Sequence, residues 1–306
     1  MTMQQFAKLN GLGNDFIFFD GLDGSFEIEA DQVRALCDRH FGIGADGVIV
    51  VRPSRVDGAD AFMDYWNSDG TLAQMCGNGV RCFAKYLVDR QIVDASEHSL
   101  SVDTRAGIKQ ITYSLDENGL MEKATVDMGA PELEPARVPT TLSANATTSF
   151  GASFVNDVSI SSPYGTFAFT CVSMGNPHAV CFIKEWESLP DELFVATPKS
   201  LATFDVAKVG SFFECCVAFP ENANIEFATI NDEGISMRVF ERGCGETLAC
   251  GTGACATGVA ACLTERCGCE NDIHLLGGTL HIAYEPGAHV FMTGPAAERF
   301  TGNVEL

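Results

Sequence analysis

One pattern occurs twice along this chain and limits the fold more than any single segment does. The first half carries Gly13-Asn14-Asp15, then several strand-like runs, then Cys76-Gly77-Asn78-Gly79 opening a helical pattern. The second half carries Gly175-Asn176-Pro177, more strand-like runs, then Cys250-Gly251-Thr252-Gly253 opening another. Two ordered pairs at similar separations predict a duplicated, β-rich domain. A length of 306 residues accommodates two domains, and 46% apolar residues suffice for two cores. Most periodic segments are short, β-branched or aromatic, and bounded by Gly, Asp or Asn: 16–20, 47–52, 62–67, 100–104, 108–114 and 124–128. The texture repeats at 167–174, 179–183, 224–230, 235–241, 279–284 and 289–293. Helices are expected over 30–40, 79–90 and 253–264, with another somewhere in 191–214. Residues 131–152 lack periodicity and read as a linker or surface insertion. The domains are therefore placed at 1–130 and 131–293.

A net charge of −22 repels phosphate backbones and anionic lipid. Nucleic-acid and membrane-surface roles are disfavoured, and a soluble enzyme with a small-molecule substrate fits. The start MTMQQFAKLN has no basic region followed by an apolar core, so no signal peptide is expected. The longest small-apolar run, 248–263, is interrupted by Thr and Gly, so no membrane span is expected. Thirteen scattered cysteines form no regular disulfide framework, which points to a reducing cytoplasm and reduced thiols.

A Cys-Gly-x-Gly step into a helix aims unpaired N–H groups and a positive dipole end at whatever lies beside the sulfur. A carboxylate can bind there without a side-chain cation, and the helix end lowers a thiol's pKa. Two such thiols at equivalent positions of duplicated halves are expected to face one another across an inter-domain cleft. Stereoinversion needs that symmetry, because one thiolate removes a proton while the opposing thiol delivers another. The helix ends would stabilise the carbanion through its carboxylate. No GxGxxG unit, P-loop or pyridoxal lysine is evident, so no cofactor is expected.

These residues resemble the diaminopimelate epimerase family. Its motifs occur in order: KLNGLGNDF at 8–16, RHFGIGADG at 39–47, NSDGTLAQMCGNGVRC at 67–82, MGNPH at 174–178, NIEF at 224–227 and RVFERGCGETLACGTGAC at 238–255. The resemblance implies an α+β fold of two similar β-rich domains, each a curled sheet around a central helix, with the active site in the cleft between them. It implies that a C-terminal strand, about 294–306, returns to the first domain. It implies a cofactor-independent, metal-free epimerase interconverting LL- and meso-diaminopimelate in lysine and peptidoglycan precursor synthesis, and a cytoplasmic homodimer. By motif position, Cys76 and Cys250 are the acid/base thiols, with His178 tuning Cys76 and Glu241 tuning Cys250. Gly77, Asn78, Gly251 and Thr252 would hold the reacting carboxylate. Asn14, Asn67, Asn176, Asn224, Glu241 and Arg242 would read the rest of the substrate. Some members have Gln where this chain has Gly47, so no contact is carried over there.

Rival readings stay open on the residues alone. Proline-racemase-like enzymes also use two thiols but show Cys-Gly-His-Gly where this chain has Asn78, and phenazine-type isomerases lack the cysteine pair. A cysteine hydrolase using Cys76 and His178 would need only one thiol. Cys215-Cys216 and Cys267-x-Cys269 invite a zinc reading but lack a well-spaced partner pair. Cys37, Cys82, Cys171, Cys181, Cys244, Cys255 and Cys262 read as packing residues.

Overall fold

Short β-branched and aromatic runs between turn residues produce strands, and two thirteen-residue helices, each opening on Gly-x-Gly, are buried against them. A computed structural model describes residues 2–306. The chain divides into one unit of residues 2–127 with 293–306 and a second of 128–292.

In the first unit the order is β1 (Met3–Gly11), β2 (Asn14–Asp20), α1 (Ala30–Cys37), β3 (Gly47–Arg52), β4 (Ala61–Asn67), α2 (Gly77–Asp89), β5 (Ser99–Thr104), β6 (Gly107–Leu115) and β7 (Met121–Gly129). Successive pairings alternate: β1–β2 antiparallel, β2–β3 parallel, β3–β4 antiparallel, β4–β5 parallel, β5–β6 antiparallel. Helix α2 is buried from Gly77 to Val88 and packs on β1, β2, β3 and β5. Its buried Arg81 and Lys85 are satisfied by the Gly77 carbonyl, Asn78 Oδ1 and the Met121 carbonyl, which lets the helix sit inside a core. Gly79 permits the close approach, since a Cβ there would sit 2.9 Å from Met63 Cε.

The second unit contains β8 (Ala146–Thr147), β9 (Ser153–Phe154), β10 (Val158–Ser162), β11 (Gly165–Ser173), β12 (Pro177–Phe182), α3 (Val206–Glu214), β13 (Asn224–Asn231), β14 (Gly234–Glu241), β15 (Gly245–Thr247), α4 (Gly251–Leu263), β16 (Glu270–Leu275) and β17 (Gly278–Tyr284). The alternation recurs: β11–β12 antiparallel, β12–β13 parallel, β13–β14 antiparallel, β14–β16 parallel, β16–β17 antiparallel. The buried helix α4 packs on β11, β12, β13, β16 and β17. Its core is rich in phenylalanine, including Phe167, Phe169, Phe204, Phe213 and Phe227. The chain leaves this unit along β18 (Val290–Pro295), and β19 (Ala297–Glu305) then pairs antiparallel with β1.

The duplication inferred from the repeated motif is thus a repeated pairing order, with α2 and α4 at the same place in it. Both helices start two residues earlier than the sequence suggested, at Gly77 and Gly251, because the cysteines themselves are the N-caps. Helix α1 stops at Cys37 rather than 40, because Asp38 is extended and its carboxylate accepts from the N–H groups of His40 (2.7 Å) and Phe41 (2.8 Å). Of the stretch 191–214, only Val206–Glu214 is α-helical. Residues 131–152 are not a free linker. Leu133 and Val138 are buried, and Thr140 donates its hydroxyl to the Ala218 carbonyl at 2.8 Å.

The cysteine reading needs two corrections. Cys262, at the end of α4, forms a disulfide with Cys269, so neither is a reduced thiol or half of a metal pair. The turn after α4 brings these two residues, seven apart in sequence, back together. Cys244 is exposed in the turn after β14 rather than packed. Cys82, Cys171 and Cys181 are packing residues, and burial pushes each thiol up to about 12.

Candidate active site

In the first unit Cys76 is the N-cap of α2, with extended backbone (φ −137°, ψ 125°), and its carbonyl accepts from Val80 N–H at 2.8 Å. The residues after it are buried glycine and asparagine, so the first turn presents backbone N–H groups rather than side-chain bulk. Asn14, the first residue of β2, lies with Oδ1 3.5 Å from the Cys76 sulfur, which donates to it. Its amide nitrogen donates to Asp46 Oδ2 at 2.7 Å, so the side chain is fixed from behind. Arg39 bridges Asp46 and Asp15, each at 2.7 Å, and Lys8 pairs with Asp15 at 2.8 Å. Burial raises the Asp15 carboxyl, but Arg39 and Lys8 outweigh it and hold the pKa below the usual range. Asn78 accepts from Arg81 Nη2 at 2.9 Å, and the buried Arg81 also donates to the Gly77 carbonyl at 3.1 Å. Asn67, at the end of β4, donates to Thr71 Oγ1 at 3.0 Å.

The second unit repeats the cap. Cys250 is extended (φ −112°, ψ 108°), and its sulfur accepts from Gly253 N–H at 3.4 Å and lies 3.5 Å from Thr252 Oγ1. Helix N–H groups alone lower a thiol's pKa, but here the outcome is the reverse. Burial first, then the charge of Glu241, raise the Cys250 thiol well above its ordinary value, against the Thr252 and Gly253 contacts. Glu241 ends β14 and accepts a hydrogen bond from the Thr247 hydroxyl. The Asn224 amide donates to the Pro177 carbonyl at 2.8 Å and accepts from Arg242 N–H at 3.0 Å. It thereby braces the starts of β12 and β13 against the turn after β14. The Arg242 guanidinium is exposed and reaches the Glu221 carbonyl at 3.1 Å.

His178, on β12, is fully buried. Its Nδ1 lies 2.6 Å from Glu226 Oε1 and its Nε2 lies 3.0 Å from Asn176 Oδ1. In the parallel register Asn224 lies opposite His178, which sets Glu226 two residues further along the same face. A Cβ on Gly253 would sit 2.8 Å from Glu226 Oε1 and 3.3 Å from Cys250 Sγ, so the acid and the thiol flank one glycine. The sequence reading assigned no role to Glu226. The available signal was a lone acid inside the apolar run Ile225-Glu226-Phe227-Ala228, every residue of which is buried. Asp46 and Arg39, which hold Asn14, were also unassigned.

Among the described residues no group of three His, Cys, Asp or Glu side chains could hold a metal ion. No described helix is long and apolar enough to cross a membrane.

Two N-cap cysteines at matching places in a repeated fold narrow the field, and comparison with known proteins settles the family. A model of the family described as diaminopimelate epimerase matches residues 6–134 and 170–298. The chain belongs to the diaminopimelate epimerase family. It is 40% identical over 304 residues to a diaminopimelate epimerase of Methanococcus maripaludis, covering 99% of this chain and 100% of that one. A diaminopimelate epimerase of Agathobacter rectalis is 41% identical, with 99% of each chain covered. Members of this family are epimerases, and so is this chain. Among solved structures, a Bacillus anthracis phenazine biosynthesis protein of the PhzF family matches with TM-score 0.67 at 18% identity, covering 100% of both chains. A probable proline racemase from Agrobacterium radiobacter matches with TM-score 0.67 at 17% identity, covering 100% of this chain and 93% of that one. These distant structures share the α+β fold of two similar β-rich halves.

Proposed function

We propose that this epimerase interconverts LL- and meso-diaminopimelate by two-base proton transfer between Cys76 and Cys250, without a cofactor. The observation that carries the reading is the pair of cysteines capping α2 and α4, two helices at the same place in a repeated pairing order. One sulfur, as thiolate, takes the α-proton and becomes a thiol. The electron pair left on the α-carbon delocalises into the substrate carboxylate. The other sulfur, as thiol, delivers its proton to the opposite face and is left as thiolate. The resting enzyme is regained by proton exchange with solvent, in which the newly formed thiol loses its proton and the newly formed thiolate takes one up. The N–H groups at Gly77, Asn78, Gly251 and Thr252 are suited to receive the carboxylate as its charge grows. Burial keeps Cys250 protonated, loading the enzyme for the direction in which Cys250 delivers.

Asn14, Asn67, Asn176, Asn224, Glu241 and Arg242 read the rest of the substrate in this proposal. Arg242, exposed and positively charged, suits a distal carboxylate. Asn224 acts through the brace it forms, since its amide already holds Pro177 and Arg242. His178 and Glu241 set the readiness of the thiols. The same reading takes the reaction to lysine and peptidoglycan precursor synthesis in the cytoplasm, with the chain as a homodimer.

The test is solvent-deuterium incorporation at the α-carbon of LL-diaminopimelate, for the parent and for C76S and C250S. Incorporation without added pyridoxal phosphate, flavin or metal is expected in the parent, with interconversion lost in each single variant. Full interconversion by C250S would overturn the two-thiol reading and favour a single-nucleophile enzyme built on Cys76.

A further inference from the structure

Glu226 is a glutamate with no exposed surface and one oxygen, Oε2, without a hydrogen-bond partner. A buried carboxylate left half unsatisfied costs several kcal/mol, whereas the carbonyl oxygen of a neutral acid left in that place costs far less. Its other oxygen lies 2.6 Å from His178 Nδ1, so one proton must sit in that contact. The far side of the imidazole decides where the second proton is. His178 Nε2 faces Asn176 Oδ1, an acceptor, so Nε2 carries a proton. A proton on Nδ1 as well would make an imidazolium against an ionised, half-unsatisfied Glu226. A proton on Glu226 Oε1 makes both groups neutral and satisfies both ring nitrogens.

We propose that Glu226 is a positioning residue, held as a neutral carboxylic acid that donates to His178 Nδ1 and fixes the ring as the Nε2–H tautomer. Burial raises the Glu226 carboxyl more than its histidine neighbour lowers it. The groups facing Glu226 are His178 from β12, the Cys250 cap of α4, and Glu241 from β14. With its proton in place, Glu226 contributes no negative charge beside Cys250, and Glu241 is the one acid of the pair still opposing a Cys250 thiolate. The N-terminus of α4 then keeps its positive end for a substrate carboxylate, which a charged Glu226 would cancel. In chemical terms Glu226 combines the donor geometry of an acid with the charge of an amide.

The kinetic part of this inference rests on the epimerase reading; the spectroscopic part does not. Three measurements on the full-length protein test it. Nitrogen-15 NMR of the His178 ring, assigned by its absence in H178N, is expected to show a protonated Nε2 and a hydrogen-bond-accepting Nδ1. A doubly protonated ring at neutral pH would overturn the proposal. In deuterium incorporation, E226L is expected to lose about tenfold or more in kcat with little change in KM, as one lost positioning hydrogen bond allows. E226Q, whose amide N–H can donate to Nδ1, is expected to recover the rate to within about threefold. The pH profile supplies a readout that packing would not move. Replacing an ionised Glu226 by glutamine would remove a negative charge beside Cys250, favour its thiolate, and shift the thiol limb of kcat/KM to lower pH. A limb in the same place for E226Q supports the proposal, and a clear downward shift refutes it. Should E226L fail to fold, E226Q and the ring spectrum still decide. If the parent incorporates no deuterium, the epimerase reading fails and the ring spectrum still judges the proton on Glu226.

Discussion

Gly253→Ala sets two effects of opposite sign against each other at the heart of the Cys250 site. Alanine is the better helix former, worth about 1 kcal/mol over glycine inside a helix, and Gly253 lies in the first turn of α4. On propensity alone the variant would be more stable than its parent. The new methyl, however, would meet Glu226 Oε1 at 2.8 Å and both Cys250 Cβ and Sγ at 3.3 Å. All three atoms belong to buried residues, and Glu226 is held by His178, so none withdraws without disturbing the pair. Overpacking of this kind costs about 1–3 kcal/mol. Steric cost therefore exceeds propensity, leaving a net loss of about 1 kcal/mol. For a unit of this size that lowers the thermal midpoint by about 2–4 °C. Displacing the sulfur or the acid by several tenths of an ångström would also misaim the proton transfer proposed for Cys250, and kcat is expected to fall about tenfold or more. Calorimetry and deuterium incorporation on one preparation measure both. A midpoint above the parent's together with an undiminished rate would show that Gly253 is not wedged between acid and thiol.

Other outcomes follow from particular contacts. Asn224→Ala removes the brace between Pro177 and Arg242 N–H, leaving a buried acceptor and a part-buried donor unpaired, and is expected to cost about 2 kcal/mol in a urea titration; a loss below about 0.5 kcal/mol would refute it. Asp103, buried beside Arg55, is held below the usual carboxylate range by the guanidinium. Its contribution is complete above the unfolded aspartate pKa and is lost as pH falls through the lower folded value. D103N is therefore expected to flatten the acid side of a stability–pH curve, and a parent-like acid slope would contradict this. Reducing Cys262–Cys269 opens a short loop worth at most about 2.5 kcal/mol, so a reductant is expected to lower the midpoint of the parent but not of C262S/C269S; equal response of both would show that the bridge is not what the reductant acts on.

The duplicated motif made the architecture legible because backbone and chemistry repeat together. One Gly-Asn turn joins β1 to β2 and the other joins β11 to β12, and Cys-Gly-x-Gly steps sit where the central helices begin. Strand texture was readable because alternation and β-branching are local. What escaped depended on atoms far apart in sequence. Glu226 stands out in sequence only as a lone acid in an apolar run, and its partner is set by the parallel pairing of β12 and β13, which brings it against His178. The elevated Cys250 thiol escaped for the same reason. A helix end is visible locally, but the burial and the Glu241 charge that overrule it are not. The polar stretch 131–152 looked unstructured because its anchors, such as Thr140 on Ala218, lie across the chain. The Cys262–Cys269 bridge was hidden among thirteen cysteines until the turn after α4 joined its ends.

The first unit is not contiguous: its edge strand β1 is covered by β19, which is synthesised only after the whole of residues 128–292. During translation the early residues must wait with an uncovered edge, while residues 128–292 emerge as one uninterrupted stretch. The usual vectorial order, amino-terminal half first, is therefore reversed at completion. A chain cut short between residues 292 and 297 would carry a finished second half joined to an unsealed, aggregation-prone first one.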